Sequence, residues 1–156
     1  MLNQIPDLVR GLPQADADGV LALGEPRLVP GGATLFPLGA DADALYVIDR
    51  GCIALRLPME VGGQPHEVVV EERGVGQTVG WSALIPPHRF TLEAVAIVDC
   101  TVIALPGASL RGHLQSRPDV GFAVMQNLAA IVGQRLQVIQ AMWLREMQRV
   151  VQLRYA

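Results

Sequence analysis

The sequence predicts a mainly β protein with added helices: a double-stranded antiparallel β-roll, jelly-roll-like, with short N-terminal helices and a long C-terminal dimerisation helix. Three observations point there. Residues 26–105 break into short runs that alternate apolar and polar side chains, each closed by Gly, Pro or Asp, which is the pattern of strands joined by tight turns. The 16 Gly and 11 Pro among 156 residues supply those turns. After Leu105-Pro106-Gly107 the apolar period changes from two to about three and a half, the spacing of a helix.

The elements follow in chain order. Leu2, Ile5, Leu8, Val9, Leu12 and then Val20, Leu21 and Leu23 recur at helical spacing and suggest two short helical pieces broken at Pro13, with Asp16 or Asp18 capping the second. Strands are expected over 27–29, 33–36, 44–49, 52–57, 66–72, 77–80, 90–98 and 101–105. A sheet set this small must close or stack to bury one face. Gly51, between Leu45-Tyr46-Val47-Ile48 and Ile53-Ala54-Leu55, suits a hairpin that needs positive φ, and Gly62-Gly63 suits a second one. Residues 108–116 read as a short helix ending before Arg117-Pro118, with Asp119 placed to cap the last helix. The expected organisation is one domain: a helical segment over 1–24, the roll over 25–107 and helices over 108–156.

Composition narrows the function. Hydrophobic residues make up 51% and charged residues 17%, which excludes disorder. The 12 basic residues are all Arg, and against 15 acidic ones they give a net charge of −3, so no direct nucleic-acid binding is expected. Cys52 and Cys100 stand far apart, which fits buried thiols and neither a disulfide framework nor a zinc, haem or iron–sulfur site. His66, His88 and His113 are scattered singly, so a cupin-like metal enzyme is an unfavoured alternative; no catalytic residues and no metal site are expected, and the chain reads as a non-enzyme. Neither a signal peptide nor a membrane span is visible, which makes a cytoplasmic location the expectation.

Chemistry concentrates in Gly74–Thr91. A strand ends at Gly80, a short apolar turn starts at Trp81, and Pro86-Pro87 returns the chain past Arg89 into another strand. Backbone N–H groups at such a turn start seek an anion. Arg89, Ser82 and Thr91 are candidate donors beside them. The plainer reading makes Gly80 a turn residue, Trp81 core and Arg89 a solvated side chain.

These residues carry a resemblance. Ile5-Pro6…Leu12, Pro30-Gly31-Gly32-Ala33-Thr34-Leu35-Phe36, Gly39 through Ile53, Val79-Gly80 through Thr91 and the Asp99–Leu105 strand resemble, in order and spacing, the cyclic-nucleotide-binding domain family, the effector part of catabolite-activator-type regulators. The resemblance implies a phosphate-binding cassette at Gly80, Trp81, Ser82, Ala83, Leu84, Arg89, Phe90 and Thr91, a cyclic nucleotide or other small phosphate-bearing ligand, and a parallel dimer through the C-terminal helix. It also implies two departures. The family's cassette Glu, which accepts from the ribose 2′-hydroxyl, is Trp81 here, and the family's Arg-Ser/Thr-Ala is Arg89-Phe90-Thr91. If Thr91 takes the hydroxyl position, Leu92, Ala94 and Ala96 face inward, Phe90 occupies the arginine's place and Arg89 turns outward; the other register buries Glu93 without a partner, so the first is favoured. Trp81 then offers either an aromatic wall for a flat ligand or a plug for the pocket.

Along the last helix Val132, Leu136, Ile139, Trp143, Val150 and Leu153 form a coiled-coil-like stripe interrupted at Glu146, whose carboxylate either pairs with Arg145 or Arg149 of a second copy or yields its place to Met147. A helix of roughly 35 residues reaches about 50 Å, further than such a roll can cover, so the half from Ile139 onward needs a partner chain. The functional expectation is a stand-alone ligand-sensing domain acting through this helix or a partner protein, without the family's helix-turn-helix. The alternative is a ligand-free dimeric interaction module.

Overall fold

A computed structural model describes residues 4–156. Eight strands form two four-stranded antiparallel sheets. Strands β1 (Glu25–Val29), β3 (Ala44–Arg50), β6 (Thr78–Val79) and β8 (Cys100–Pro106) build one in the order β1-β8-β3-β6. Strands β2 (Thr34–Phe36), β4 (Ile53–Val61), β5 (Gln64–Arg73) and β7 (Glu93–Ala96) build the other in the order β2-β7-β4-β5. Helix α1 (Gln14–Leu21) precedes the roll, and α2 (Gly107–Ser116) and α3 (Pro118–Tyr155) follow it.

The turn chemistry holds. Gly51 has φ +94° between β3 and β4, and a Cβ there would lie 2.5 Å from Cys100 Sγ and 2.8 Å from the Asp99 carbonyl oxygen, so both backbone angle and space require glycine. Gly62 and Gly63, at φ +59° and +76°, make the two-residue turn between β4 and β5. The first half of β4, Ile53–Leu55, is buried, while Leu57–Val61 is exposed, so this hairpin projects beyond the roll.

Several expected details differ. The first N-terminal piece is a single 3₁₀ turn, Asp7–Val9, not a helix, and Leu2 lies outside the described residues. Neither Asp16 nor Asp18 caps α1: Pro13 occupies the N-cap position, with its fixed φ leading into the first turn. Asp119 does not cap α3 either, because Pro118 already starts the helix and places Asp119 in its first turn, with Arg117 at the cap position. The Arg117 guanidinium bonded to Asp119 holds that carboxyl below its usual pKa. The strand expected over 90–98 is regular only over 93–96, since residues 88–90 pair with the 39–42 loop instead. Cys100 is buried and donates its thiol toward the carbonyls of Val98 and Cys52, while Cys52 itself is only half-buried.

The 38 residues of α3 behave as two parts. Val120, Val124, Leu128, Ile131 and Arg135 follow one another at steps of four, four, three and four and are all buried against the body of the protein. From Leu136 most large apolar side chains are exposed, Ile139, Trp143, Leu144, Met147, Val150, Val151 and Leu153 among them, while Val138 and Met142 are half-buried. Val132 is half-buried at the border. Glu146 reaches Arg149 of its own helix at 3.8 Å. No helix among the described residues is long and apolar enough to cross a membrane.

Candidate functional site

Gly80 ends β6 in the left-handed region at φ +84°, and a Cβ there would press on Phe90 Cε1 at 3.2 Å and the Ala44 carbonyl oxygen at 3.3 Å. The chain then makes one 3₁₀ turn, Trp81–Ala83. Ala83, Leu84 and Ile85 donate back to the carbonyls of Gly80, Trp81 and Ser82, whereas the amides of Trp81 and Ser82 have no acceptor among the described residues. The return loop is tied down by His88, whose Nδ1 lies 3.0 Å from the Ser82 carbonyl oxygen.

The strand leaving the loop has the register in which Phe90, Leu92, Ala94 and Ala96 are buried. The reason lies in its neighbours. Phe90 donates to the Ala40 carbonyl and accepts from the Gly39 amide, a ladder that sends Phe90 inward and Arg89 outward by period-two alternation. Glu93 is not stranded inside: it accepts from Arg56 at 3.0 Å, and Arg56 also pairs with Glu67. Arg89 is 61% exposed, donates to the Gly39 carbonyl at 3.0 Å and meets Asp41 at 3.4 Å, on the face away from the hollow.

The hollow beside the cassette is lined by Phe36, Leu55, Gly80, Trp81, Ser82, Phe90, Thr91, Leu92 and Arg135. Five of the eight residues expected there, Gly80, Trp81, Ser82, Phe90 and Thr91, therefore converge, while Ala83, Leu84 and Arg89 do not line it. Its free volume is only about 10 Å³, about one water. Phe90 stacks on Phe36 there with ring centroids 3.7 Å apart, and Phe36 continues to Tyr46 at 5.9 Å. Trp81 is half-buried at the edge of the core.

Sequence reasoning missed Arg135. It is 7% exposed, and its Nε donates to Glu71 Oε2 at 3.1 Å. Glu71 Oε1 accepts from Arg73 at 2.8 Å, and Arg73 donates to Asp7 at 2.9 Å, so two cations and two carboxylates tie the N-terminal turn and β5 to α3. Burial pushes the Arg135 pKa down and the Glu71 hydrogen bond opposes that shift. Arg135 Nη2 is buried without an acceptor, as are Nε of Arg56 and Arg73, and of these three only Arg135 belongs to a residue lining the hollow. An orphaned buried donor costs about 1–3 kcal/mol, more where the group is charged. The available signal was the stripe Val120, Val124, Leu128, Ile131, whose next step falls on an arginine. No group of three or more His, Cys, Asp or Glu suited to a metal gathers among the described residues.

The family model of the cyclic nucleotide-binding domain matches residues 26–117, more than half of the chain and all of the roll but its first residue. The chain belongs to the cyclic nucleotide-binding domain family. The cyclic AMP receptor protein of Thermus thermophilus is 28% identical over 130 residues, which are 83% of this chain and 57% of that protein, so the chain spans little more than half of this relative. Among solved structures, the catabolite activator protein of Thermus thermophilus superposes with a TM-score of 0.72 at 27% identity, covering 91% of this chain and 63% of that one. A c-di-GMP responsive global regulator of Xanthomonas campestris shares the fold, with a TM-score of 0.73 at 18% identity over 85% of this chain and 64% of that one. In this cyclic nucleotide-binding domain Trp81 directly follows Gly80, and Phe90 stands between Arg89 and Thr91.

Proposed function

We propose that this cyclic nucleotide-binding domain is a regulatory, non-enzymatic sensor of a small phosphate-bearing ligand, and that its output is the pairing of α3 with a second copy or with a partner protein. One observation carries the reading: Arg135, which lines the hollow, is followed directly by Leu136, where the uncovered apolar stripe of α3 begins. A rigid helix that touches the site at one residue and starts its exposed face at the next transmits any displacement along its whole length. Family membership supports a cyclic nucleotide as the first ligand to try, and the name of the Thermus relative supports cyclic AMP among them. Cyclic AMP, cyclic GMP and linear nucleotides added in turn should raise the melting temperature for at least one member, since a ligand that binds only the folded state stabilises it. A panel that moves nothing defeats the sensor reading.

The packing favours one second reading. With Phe90 stacked on Phe36 and about 10 Å³ left, the hollow is filled as a core is filled, which suits a ligand-free interaction module whose working surface is α3.

A further inference from the structure

We propose that Arg135, on α3, is the cation that anchors the ligand's phosphate group, replacing an arginine on the cassette strand; this rests on the sensor reading above. Three observations converge on it. The arginine of the cassette, Arg89, is turned away and bonded to Gly39 and Asp41. Arg135 lines the same hollow as Gly80, Trp81 and Ser82 and is more than nine-tenths buried. Its Nη2 has no acceptor, and Glu71 engages only its Nε, one of five donors on a guanidinium whose planar fork suits phosphate oxygens.

The ligand class follows from what surrounds that cation. No carboxylate lines the hollow, so a ribose hydroxyl meets only the neutral Ser82 and Thr91 hydroxyls among its side-chain acceptors, and recognition falls mainly on the phosphate and on aromatic faces at Trp81 and Phe90. Phe90 has to swing off Phe36 to admit any group larger than water. The phosphate then pulls on α3 directly, because its main charged partner is carried by that helix rather than by the roll.

The test is isothermal titration of the full chain with cyclic AMP, AMP and inorganic phosphate, on the parent, Arg135→Gln, Arg135→Lys, the neutral pair Glu71→Gln/Arg135→Gln, and Arg89→Gln. The single change leaves Glu71 bonded to Arg73, the pair leaves Arg73 its Asp7 carboxylate and an amide oxygen at residue 71, and the unfolding midpoint of each variant, measured alongside, separates lost binding from lost folding. Arg135→Gln and the pair should weaken binding about ten- to a hundredfold, the weight of one charge-assisted hydrogen bond, with Arg135→Lys recovering part of it. Cyclic AMP binding without AMP or inorganic phosphate binding assigns a phosphodiester; binding of all three assigns the phosphate alone. Parent-like affinity in Arg135→Gln or in the neutral pair, or a loss confined to Arg89→Gln, overturns the anchor while leaving the sensor intact. A parent that binds none of the three overturns both.

Discussion

Phe90 lies face to face with Phe36, ring planes 12° from parallel and centroids 3.7 Å apart, and both rings line the hollow beside Gly80 and Trp81. The pair joins β2 to the cassette strand and is itself packed under Gly80. Two apolar rings thus hold the site closed by burial and dispersion, where a charged side chain would hold it open for an anion.

Truncation of that ring should be costly. Phe90→Ala is expected to lower stability by about 3–5 kcal/mol through lost transfer energy and the cavity left behind. Urea unfolding followed by circular dichroism checks it; a loss below about 1 kcal/mol would mean that the walls collapse and the hollow is not held open by its surroundings.

The charge cluster predicts a second large effect. Arg73 is 4% exposed at its side chain and depends on Asp7 and Glu71 for its hydrogen bonds. Asp7→Ala removes one partner and also the acceptor for Thr78, and should cost about 3–5 kcal/mol, because a buried cation is left short of its counter-charge. An unfolding midpoint close to the parent would contradict the cluster's structural weight.

Burial raises the Tyr46 pKa above its ordinary value, with Asp43 acting in the same direction and Arg27 against both. The sign follows from proton linkage: the folded state retains a proton that the unfolded state releases, so this contribution is complete below about pH 10 and is lost as pH climbs through the folded-state value. Thermal melts above pH 10 should therefore fall less steeply for Tyr46→Phe than for the parent. Equal slopes would place the phenol in a more solvated setting than its burial implies.

The exposed stripe of α3 gives a prediction about assembly. Trp143 is 64% and Leu136 55% exposed in the isolated chain, side chains that a monomer has no reason to display in one line. Sedimentation velocity is expected to give a dimer for the parent and a monomer for Leu136→Glu/Trp143→Glu. A monomeric parent at concentrations of tens of micromolar, an order typical of weak self-association, would remove self-pairing as the output.

What the residues revealed in advance follows from the range over which each signal acts. The strands were legible because alternation and the glycines at 51, 62 and 63 are local facts of the chain. The outward turn of Arg89 was legible too, because burying Glu93 unpaired was the worse choice, and the structure gives the half-buried Glu93 an arginine partner. The caps were misread since Pro13 and Pro118 start their helices ahead of the aspartates that looked suited to the task. Arg135 and the Phe36–Phe90 stack escaped notice for another reason: each depends on which segments distant in sequence meet, Arg135 with β5 across 64 residues and Phe90 with β2 across more than fifty. Helical spacing marked the apolar stripe of α3 but could not say that its fifth buried member would be a cation facing the cassette.

Hydrogen exchange along α3, with and without saturating cyclic AMP, tests most directly whether site and output share that helix. Added protection is expected in two places at once, around residues 128–136 beside the hollow and along the stripe from Ile139 to Leu153. Protection confined to the roll, or no change anywhere in α3, would contradict the account.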